Sequence, residues 1–80
     1  MKIQLLFFGI TTDLLGTSFL DFNITNNCTI ACLKTKLIID YPQLKNIQSY
    51  AFAVNESYAD DKTILYPNDV VAIIPPVSGG

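Results

Sequence analysis

The sequence contains no histidine, no arginine and no tryptophan. Without histidine the chain lacks the commonest general base, the commonest metal ligand and any Ser-His-Asp triad. Without arginine it lacks the side chain that binds phosphate groups with two parallel hydrogen bonds. The five basic residues are scattered lysines, and the net charge is −2. We therefore expect neither a nucleic-acid partner nor binding to an anionic membrane surface.

Cysteine is also scarce, with Cys28 and Cys32 as the two thiols. Two thiolates without histidine make an incomplete zinc site, so we expect no bound metal. Their C-x3-C spacing also differs from the C-x-x-C of thioredoxin-like redox motifs. We interpret both as buried or half-buried structural thiols, which suits a reducing cytosol.

Long apolar runs are missing as well. The start, MKIQLLFFGI, has one positive charge and a short apolar run, as a signal peptide does. Gln4 interrupts this run, Asp13 follows soon after it, and no small-x-small cleavage site is present. No stretch approaches the roughly 18 apolar residues of a membrane helix. The expected location is the cytoplasm.

Hydrophobic residues are abundant: they make up 50% of the 80 residues. A chain of this length forms one domain, and so small a domain needs a dense core. The excess has two readings, a tight core or an apolar surface that a partner covers. Composition alone does not decide between them.

Two strands are predicted near the amino end. Residues 3–8, IQLLFF, predict a strand with Gln4, Leu6 and Phe8 on one face. Residues 17–25 alternate in polarity as a half-buried strand does, and residues 10–16 between the two predict a turn or one helical turn. The short spacing favours a hairpin. The inward positions are Ile3, Leu5 and Phe7 in the first strand and Leu20, Phe22 and Ile24 in the second.

One helix is predicted next. Asn27 or Thr29 supplies the N-cap, and Pro42 prevents continuation, so the helix ends at residue 39 or 40. Apolar residues at spacings of three and four predict one core-facing stripe. The stripe contains Ile30, Leu33, Leu37, Ile38 and Tyr41, with Lys34 and Lys36 expected on the solvated side.

Three further strands complete the pattern. Residues 50–55 predict a strand, residues 58–59 a short return strand, and residues 70–74 a last strand that is apolar on both sides. Pro67 predicts a type I turn before the last strand, and Pro75 ends that strand. The order predicts an α+β, ubiquitin-like β-grasp domain over residues 1–74: one mixed sheet with one main helix across it and the first and last strands parallel at its centre.

The remaining residues, 75–80, are Pro-Pro-Val-Ser-Gly-Gly. Two prolines favour an extended tail, and Gly79 and Gly80 make its end slim enough to thread a narrow channel. A terminal carboxylate becomes reactive once it is activated, for example as an acyl-adenylate made from ATP, and a sulfur donor can then convert it to a thiocarboxylate. For Gly-Gly alone, a merely disordered end is the simpler reading. Its position directly after a β-grasp pattern favours the functional one.

The segment NDVVAIIPPVSGG resembles the carboxyl end of the molybdopterin synthase small subunits, the MoaD-type sulfur carriers. The start IQLLFFG, the Leu14-Leu15-Gly16 step, the Tyr41-Pro42 helix exit and Ala53-Val54-Asn55 are similar too, so the resemblance spans nearly the whole chain. One departure is Asn68-Asp69-Val70, where the family usually has Gly-Asp-Glu. Asn tolerates the left-handed backbone that glycine adopts, so the turn can survive. Loss of the Glu changes the acidic rim offered to partners.

The resemblance implies a mechanism centred on the Gly80 carboxylate. An adenylyltransferase related to the ubiquitin-activating enzymes uses ATP to adenylate Gly80, and a sulfurtransferase system turns it into a thiocarboxylate. The large subunit of molybdopterin synthase then takes in the tail, and sulfur passes to cyclic pyranopterin monophosphate during molybdenum cofactor biosynthesis. The chain itself binds no cofactor. The tail-threading residues are Pro75, Pro76, Val77, Ser78 and Gly79, and the family positions that contact the large subunit correspond to Phe8, Tyr58 and Ile74.

Three alternatives remain open from the sequence. The chain could be a sulfur carrier of another pathway, such as that of thiamine biosynthesis, although those chains lack Pro-Pro-Val before the glycines. It could be a ubiquitin-like modifier that forms an isopeptide bond between Gly80 and a lysine. It could also be an interaction module with an inert tail.

Overall fold

The sequence forms a five-stranded sheet with one long helix against it. The computed structural model describes residues 1–44 and 46–76. Lys45 and residues 77–80 lie outside this part of the chain. The elements in chain order are β1 (Lys2–Phe7), α1 (Ile10–Leu15), β2 (Phe19–Asn23), α2 (Ile30–Asp40), a short 3-10 helix (Ile47–Ser49), β3 (Ala51–Val54), β4 (Ser57–Ala59) and β5 (Val70–Ile74).

The strand order is β2-β1-β5-β3-β4. β1 and β5 are parallel neighbours, and the other pairs are antiparallel. The first and last strands therefore meet at the centre, and the α+β, ubiquitin-like β-grasp expectation is confirmed. β5 ends at Ile74 as expected, while the division into a domain over 1–74 and a tail over 75–80 stays a prediction.

Alternation along the central strands builds the core. Successive strand residues point to opposite faces, so one face of each central strand packs under α2. In β5, Val71 and Ile73 are fully buried, whereas Ile74 is half-buried. Fully buried large aliphatic side chains come from the sheet, from α2 and from the loops that follow α2 and precede β5: Ile3, Leu5, Ile30, Leu33, Leu37, Leu44, Leu65, Val71 and Ile73.

Local signals set both ends of α2. The Thr29 hydroxyl accepts a hydrogen bond from the backbone N–H of Cys32 at 3.2 Å, which satisfies one of the free donors at the helix start. The helix ends at Asp40, two residues before Pro42. The predicted cap at Thr29 and the predicted end are both confirmed.

The expected solvent position of Lys34 is wrong. Lys34 is 7% exposed, because the helical spacing places it beside Ile30 and Leu37 on the core-facing side of α2. The ammonium group lies 2.6 Å from a carboxylate oxygen of Asp61 and 5.2 Å from the centre of the Phe52 ring. Burial of the aliphatic stem is favourable once the charge is paired in this way.

Two turns differ from expectation. At Tyr66–Asp69, Asn68 has φ 69°, and a positive φ at the third residue belongs to a type II turn, not to the type I turn predicted from Pro67. Asn adopts the left-handed backbone here, as the departure from the family's glycine required. The β3–β4 turn centres on Asn55 and Glu56, both with positive φ, one residue earlier than the two residues, 56 and 57, that lie between the predicted strands.

Strand limits differ by one or two residues. The second strand covers Phe19–Asn23, not 17–25, and the third covers Ala51–Val54, not 50–55. Among the expected inward residues of β2 and its extension, Phe22 and Ile24 are buried, but Leu20 is half-buried. Leu20 lies near the start of β2, which is an edge strand, so fewer neighbouring side chains pack over it.

Candidate functional site

The outer face of the sheet, the one turned away from α2, carries an unbroken apolar row. Leu6 of β1 pairs with Phe19 on one side and Ala72 on the other. Ala72 pairs with Ala53, which pairs with Tyr58. Directly paired residues share a face, so one row crosses all five strands. Its two ends are well exposed, with Phe19 at 55% and Tyr58 at 80%.

Two further apolar residues extend this row toward the end of the sheet where the chain leaves β5. Phe8 follows β1, is 48% exposed, and lines a shallow depression of about 360 Å³ with Leu6, Ala53 and Ala72. Ile74 alternates with buried Ile73 and is half-buried on the outer side. The structure thus brings Phe8, Tyr58 and Ile74 to one face, which we call the outer apolar face together with the row.

The abundant hydrophobic residues therefore form both a tight core and an exposed apolar surface. β5 is apolar on both sides, as predicted, but on its outer side Val70, Ala72 and Ile74 are only half-buried. Large exposed apolar areas on a small domain mark surfaces that a partner covers. Sequence reasoning missed Phe19 and the two alanines of the row. The alternation of small residues in Tyr-Ala-Phe-Ala-Val was the signal for Ala53.

The link between β1 and α1 fixes the position of Phe8. The fully buried Thr11 hydroxyl accepts a hydrogen bond from the Phe8 backbone N–H at 3.0 Å and donates one to the Phe8 carbonyl. The Thr12 hydroxyl donates to the Phe7 carbonyl at 3.1 Å. These bonds satisfy the backbone polar groups where the strand stops pairing, so the aromatic ring is presented from a rigid turn.

Gly9 lies against the root of the tail. Its backbone has φ 58° and ψ −134°, a combination that is readily open only to glycine. A side-chain Cβ at this position would lie 3.2 Å from Cγ of Pro75. The close approach of Gly9 and Pro75 thus joins the start of the tail to the β1–α1 turn. Pro76 follows and is exposed, while the predicted site residues Val77, Ser78, Gly79 and Gly80 lie outside the described residues.

The two cysteines occupy different environments. Cys28 is buried as expected, but Cys32 is exposed, which corrects the expectation for that thiol. Burial raises the pKa of the Cys28 thiol to about 12, helped by a hydrogen bond with Cys32. A protonated thiol is a poor nucleophile and a poor metal ligand. Within residues 1–44 and 46–76, no group of three or more potential metal ligands is present.

If the carboxyl end carries sulfur, as the resemblance implies, Cys32→Ala should leave sulfur transfer unchanged within about twofold. The carried sulfur is expected on the terminal acyl carbon, and replacement of an exposed side chain costs within about 0.5 kcal/mol of stability. The measurement is molybdopterin formation in a reconstituted reaction with equal amounts of each carrier. A folded Cys32→Ala protein that forms no product would require a second sulfur position on the chain.

No helix in residues 1–44 and 46–76 has both the length and the apolar character required to cross a membrane.

Comparison with protein families gives a match to the ThiS family over residues 5–80. Among curated proteins, the chain is similar to the molybdopterin synthase sulfur carrier subunit of Arabidopsis thaliana. The two are 32% identical over 81 residues, an alignment that covers 100% of this chain and 84% of that protein. The similarity therefore includes both the domain and the carboxyl end.

Solved structures of similar fold agree with this match. SAMP1 from Haloferax volcanii superposes with a TM-score of 0.87 at 18% identity, with both chains fully covered. A chain in the complex of subunits 1 and 2 of the molybdopterin-converting factor from Helicobacter pylori superposes with a TM-score of 0.71 at 23% identity, again over the full length of both. At these identities the likeness establishes the fold.

Proposed function

The chain belongs to the ThiS family, and from this membership we propose that it is the sulfur-carrier subunit of a cytoplasmic molybdopterin synthase. The observation that carries the proposal is the extent of the similarity: the family match runs through the final glycine, and the Arabidopsis relative is a molybdopterin synthase sulfur carrier subunit. The chain supplies the Gly80 carboxylate, and partner proteins supply the catalytic side chains.

The proposed chemistry begins with activation. A carboxylate oxygen of Gly80 attacks the α-phosphorus of ATP on an adenylyltransferase related to the ubiquitin-activating enzymes, and pyrophosphate leaves. A persulfide on a sulfurtransferase attacks the acyl carbon and displaces AMP. A second thiol then attacks the persulfide's inner sulfur, which leaves a disulfide on the donor side and a thiocarboxylate on Gly80.

The second stage is delivery. The thiocarboxylate sulfur attacks an oxygen-bearing carbon of cyclic pyranopterin monophosphate inside the large subunit, and the carbon–oxygen bond breaks so that the oxygen leaves as part of a phosphate group or as water. Hydrolysis of the acyl–sulfur bond then leaves the sulfur on the pterin and returns the Gly80 carboxylate. Two sulfurs are needed for the dithiolene, so two carriers are used for each product. Gly79, Ser78, Val77, Pro76 and Pro75 serve as the slim segment that passes through the entrance.

The outer apolar face supports a subunit partner for this step. Phe8, Tyr58 and Ile74 lie on one side of the sheet. Phe8 and Ile74 are near the root of the tail, and Tyr58 is on the edge strand β4. The Helicobacter pylori structure of similar fold is a complex of subunits 1 and 2 of its converting factor. We therefore infer that the large subunit covers the outer apolar face while it holds the tail.

Phe8→Asp should weaken binding of the large subunit by about thirtyfold or more. A well-packed aromatic anchor contributes about 2 kcal/mol or more to an interface, and a charge in its place has no partner there. The ring is 48% exposed, so the melting temperature should change little. A titration of the large subunit with wild type and variant gives the two dissociation constants, and equal values would remove Phe8 from the interface.

Two further assays distinguish the sulfur carrier of molybdopterin synthase from a ubiquitin-like modifier and from a carrier of the thiamine type. A ubiquitin-like modifier would give higher-mass conjugates of the chain in a cell extract supplied with ATP, and these would disappear after removal of Gly80. A carrier of the thiamine type would be loaded with sulfur but would give no molybdopterin with the large subunit and cyclic pyranopterin monophosphate.

A further inference from the structure

A second apolar depression lies on the other side of the tail root. It has a volume of about 280 Å³ and is lined mainly by Ile10 and Leu14 of α1, by Tyr50 and by Pro75 and Pro76. We call it the tail groove. Ile10 is 58% exposed and Leu14 37% exposed, which leaves two large aliphatic side chains facing solvent beside the start of the tail.

The tail groove is built on a fixed frame. The side-chain amide of Gln43 donates a hydrogen bond to the Leu14 carbonyl at 3.3 Å, which ties the loop after α2 to the end of α1. Thr11, between Ile10 and Thr12, is fully buried and holds the start of α1 to Phe8. The groove is therefore present before any partner arrives, and little ordering of the chain opposes binding.

Gly9 separates the tail groove from the outer apolar face. Phe8 lies on the outer face, and Ile10 lies in the groove. Pro75 packs against Gly9 between them. The tail thus starts between two apolar surfaces, and a partner that touches one surface near this point is next to the other.

The length of the tail limits the distance between Pro76 and any protein site that receives the Gly80 carboxylate. Four residues follow Pro76 in the sequence, and a fully extended chain spans at most about 3.5 Å for each residue, or about 14 Å in total. A protein that receives the Gly80 carboxylate in an enclosed site must come within this distance of Pro76. An entrance that encloses the tail surrounds it on all sides, so it comes close to the apolar surfaces on both sides of the tail root.

Area leads to the same conclusion. A stable interface buries about 800 Å² on each partner, which is a sixth of the 4926 Å² accessible surface of this chain. An interface of that size does not fit on one row of side chains. The outer apolar face and the tail groove form apolar surface on both sides of Gly9, so an interface that covers both can reach this area.

On this basis we propose that the tail groove receives an apolar side chain of the large subunit, so that the subunit interface continues from the outer apolar face around the root of the tail. The proposal rests on the proposed function, since it takes the large subunit as the partner. It adds Ile10 and Leu14 to the contact surface and predicts an aliphatic or aromatic residue beside the entrance of the large subunit's channel.

The test compares two matched substitutions in the full-length chain. Ile10→Asp places a charge in the tail groove. Ile64→Asp makes the same change at a residue that is 46% exposed and bridges Thr29 at the opposite end of the sheet. Each variant is titrated with the large subunit and, separately, incubated with the activating enzyme, ATP and a sulfur donor for intact-mass measurement. Thermal unfolding shows whether each variant is folded.

We expect Ile10→Asp to bind the large subunit at least tenfold more weakly than wild type and to acquire sulfur at the wild-type level. Ile64→Asp should bind within twofold of wild type. If Ile10→Asp unfolds, Ile10→Ser replaces it, with an expected loss of about fivefold or more.

Equal affinity of the Ile10 variant and wild type overturns the proposal. So does normal large-subunit binding combined with lost sulfur loading, which would assign the tail groove to the activating enzyme. Failure of the proposed function looks different, because then the wild-type chain itself fails to bind the large subunit or to acquire sulfur.

Discussion

Leu37→Ala is expected to lower the free energy of unfolding by about 2–5 kcal/mol. Leu37 is fully buried on the core-facing side of α2, among the residues that pack the helix against the sheet. Removal of its branched end loses the transfer free energy of the buried carbons and leaves a cavity that the surrounding strands fill only partly. In a domain of this size the total stability is roughly 5 kcal/mol, so this change should remove between about two-fifths and all of the stability and lower the urea midpoint accordingly.

The matched control for this change is Ile39→Ala on the same helix. Ile39 is 71% exposed, and its replacement should alter stability by no more than about 0.5 kcal/mol. Urea denaturation of both variants and wild type gives the comparison. A Leu37→Ala midpoint equal to that of wild type would show that this side of α2 does not pack on the sheet.

The elements predicted best were those with short-range signals. Thr29 caps α2 through a bond three residues away, and Pro42 ends the helix by its own backbone chemistry, so both limits could be read from neighbouring residues. The parallel pair of β1 and β5 followed from the order of elements, since a β-grasp leaves few ways to place the first and last strands.

Lys34 shows where sequence reasoning failed. Helical spacing already placed it between Ile30 and Leu37, but its charge argued for solvent. The partner that makes burial acceptable, Asp61, is 27 residues away and belongs to a loop whose position depends on the tertiary fold. A lone lysine in a helix carries no signal of such a partner.

The candidate site was predicted in part for the same reason. The outer side of Phe8 follows from alternation along β1, which is a local pattern. That Leu6, Ala72 and Ala53 form one row depends on the register between three strands, and register is set by long-range pairing. The role of Gly80 and its neighbours is carried by the family membership and stays a proposal.

Deletion of Gly80 is expected to reduce sulfur transfer by at least a hundredfold while the domain stays folded. The new terminus, Gly79, is retracted by up to about 3.5 Å, the length of one extended residue. A misplacement of about 1 Å can already lower a rate a hundredfold when reacting atoms must be aligned. The sheet ends at Ile74, so loss of the last residue removes nothing from the core.

Two companion variants test the same requirement from other directions. One residue added after Gly80 should abolish transfer, because the carboxylate then sits on the wrong residue and overshoots the site. Gly79→Ile keeps the length but adds a branched side chain, and we expect it to impair passage through a narrow channel. Both should melt within a few degrees of wild type. Molybdopterin formation at the wild-type rate by the extended chain would contradict the required position of the carboxylate, and the same rate with Gly79→Ile would contradict the need for a slim tail.

The most direct test of the account is the intact mass of the chain after incubation with the activating enzyme, ATP and a sulfur donor. Wild type should gain the mass of one oxygen-to-sulfur exchange, and fragmentation should place it on Gly80. The Gly80 deletion and the extended chain should keep their starting masses. If wild type never acquires this sulfur, or if the Gly80 deletion still forms molybdopterin at the full rate, the assignment of this chain as a sulfur carrier is wrong.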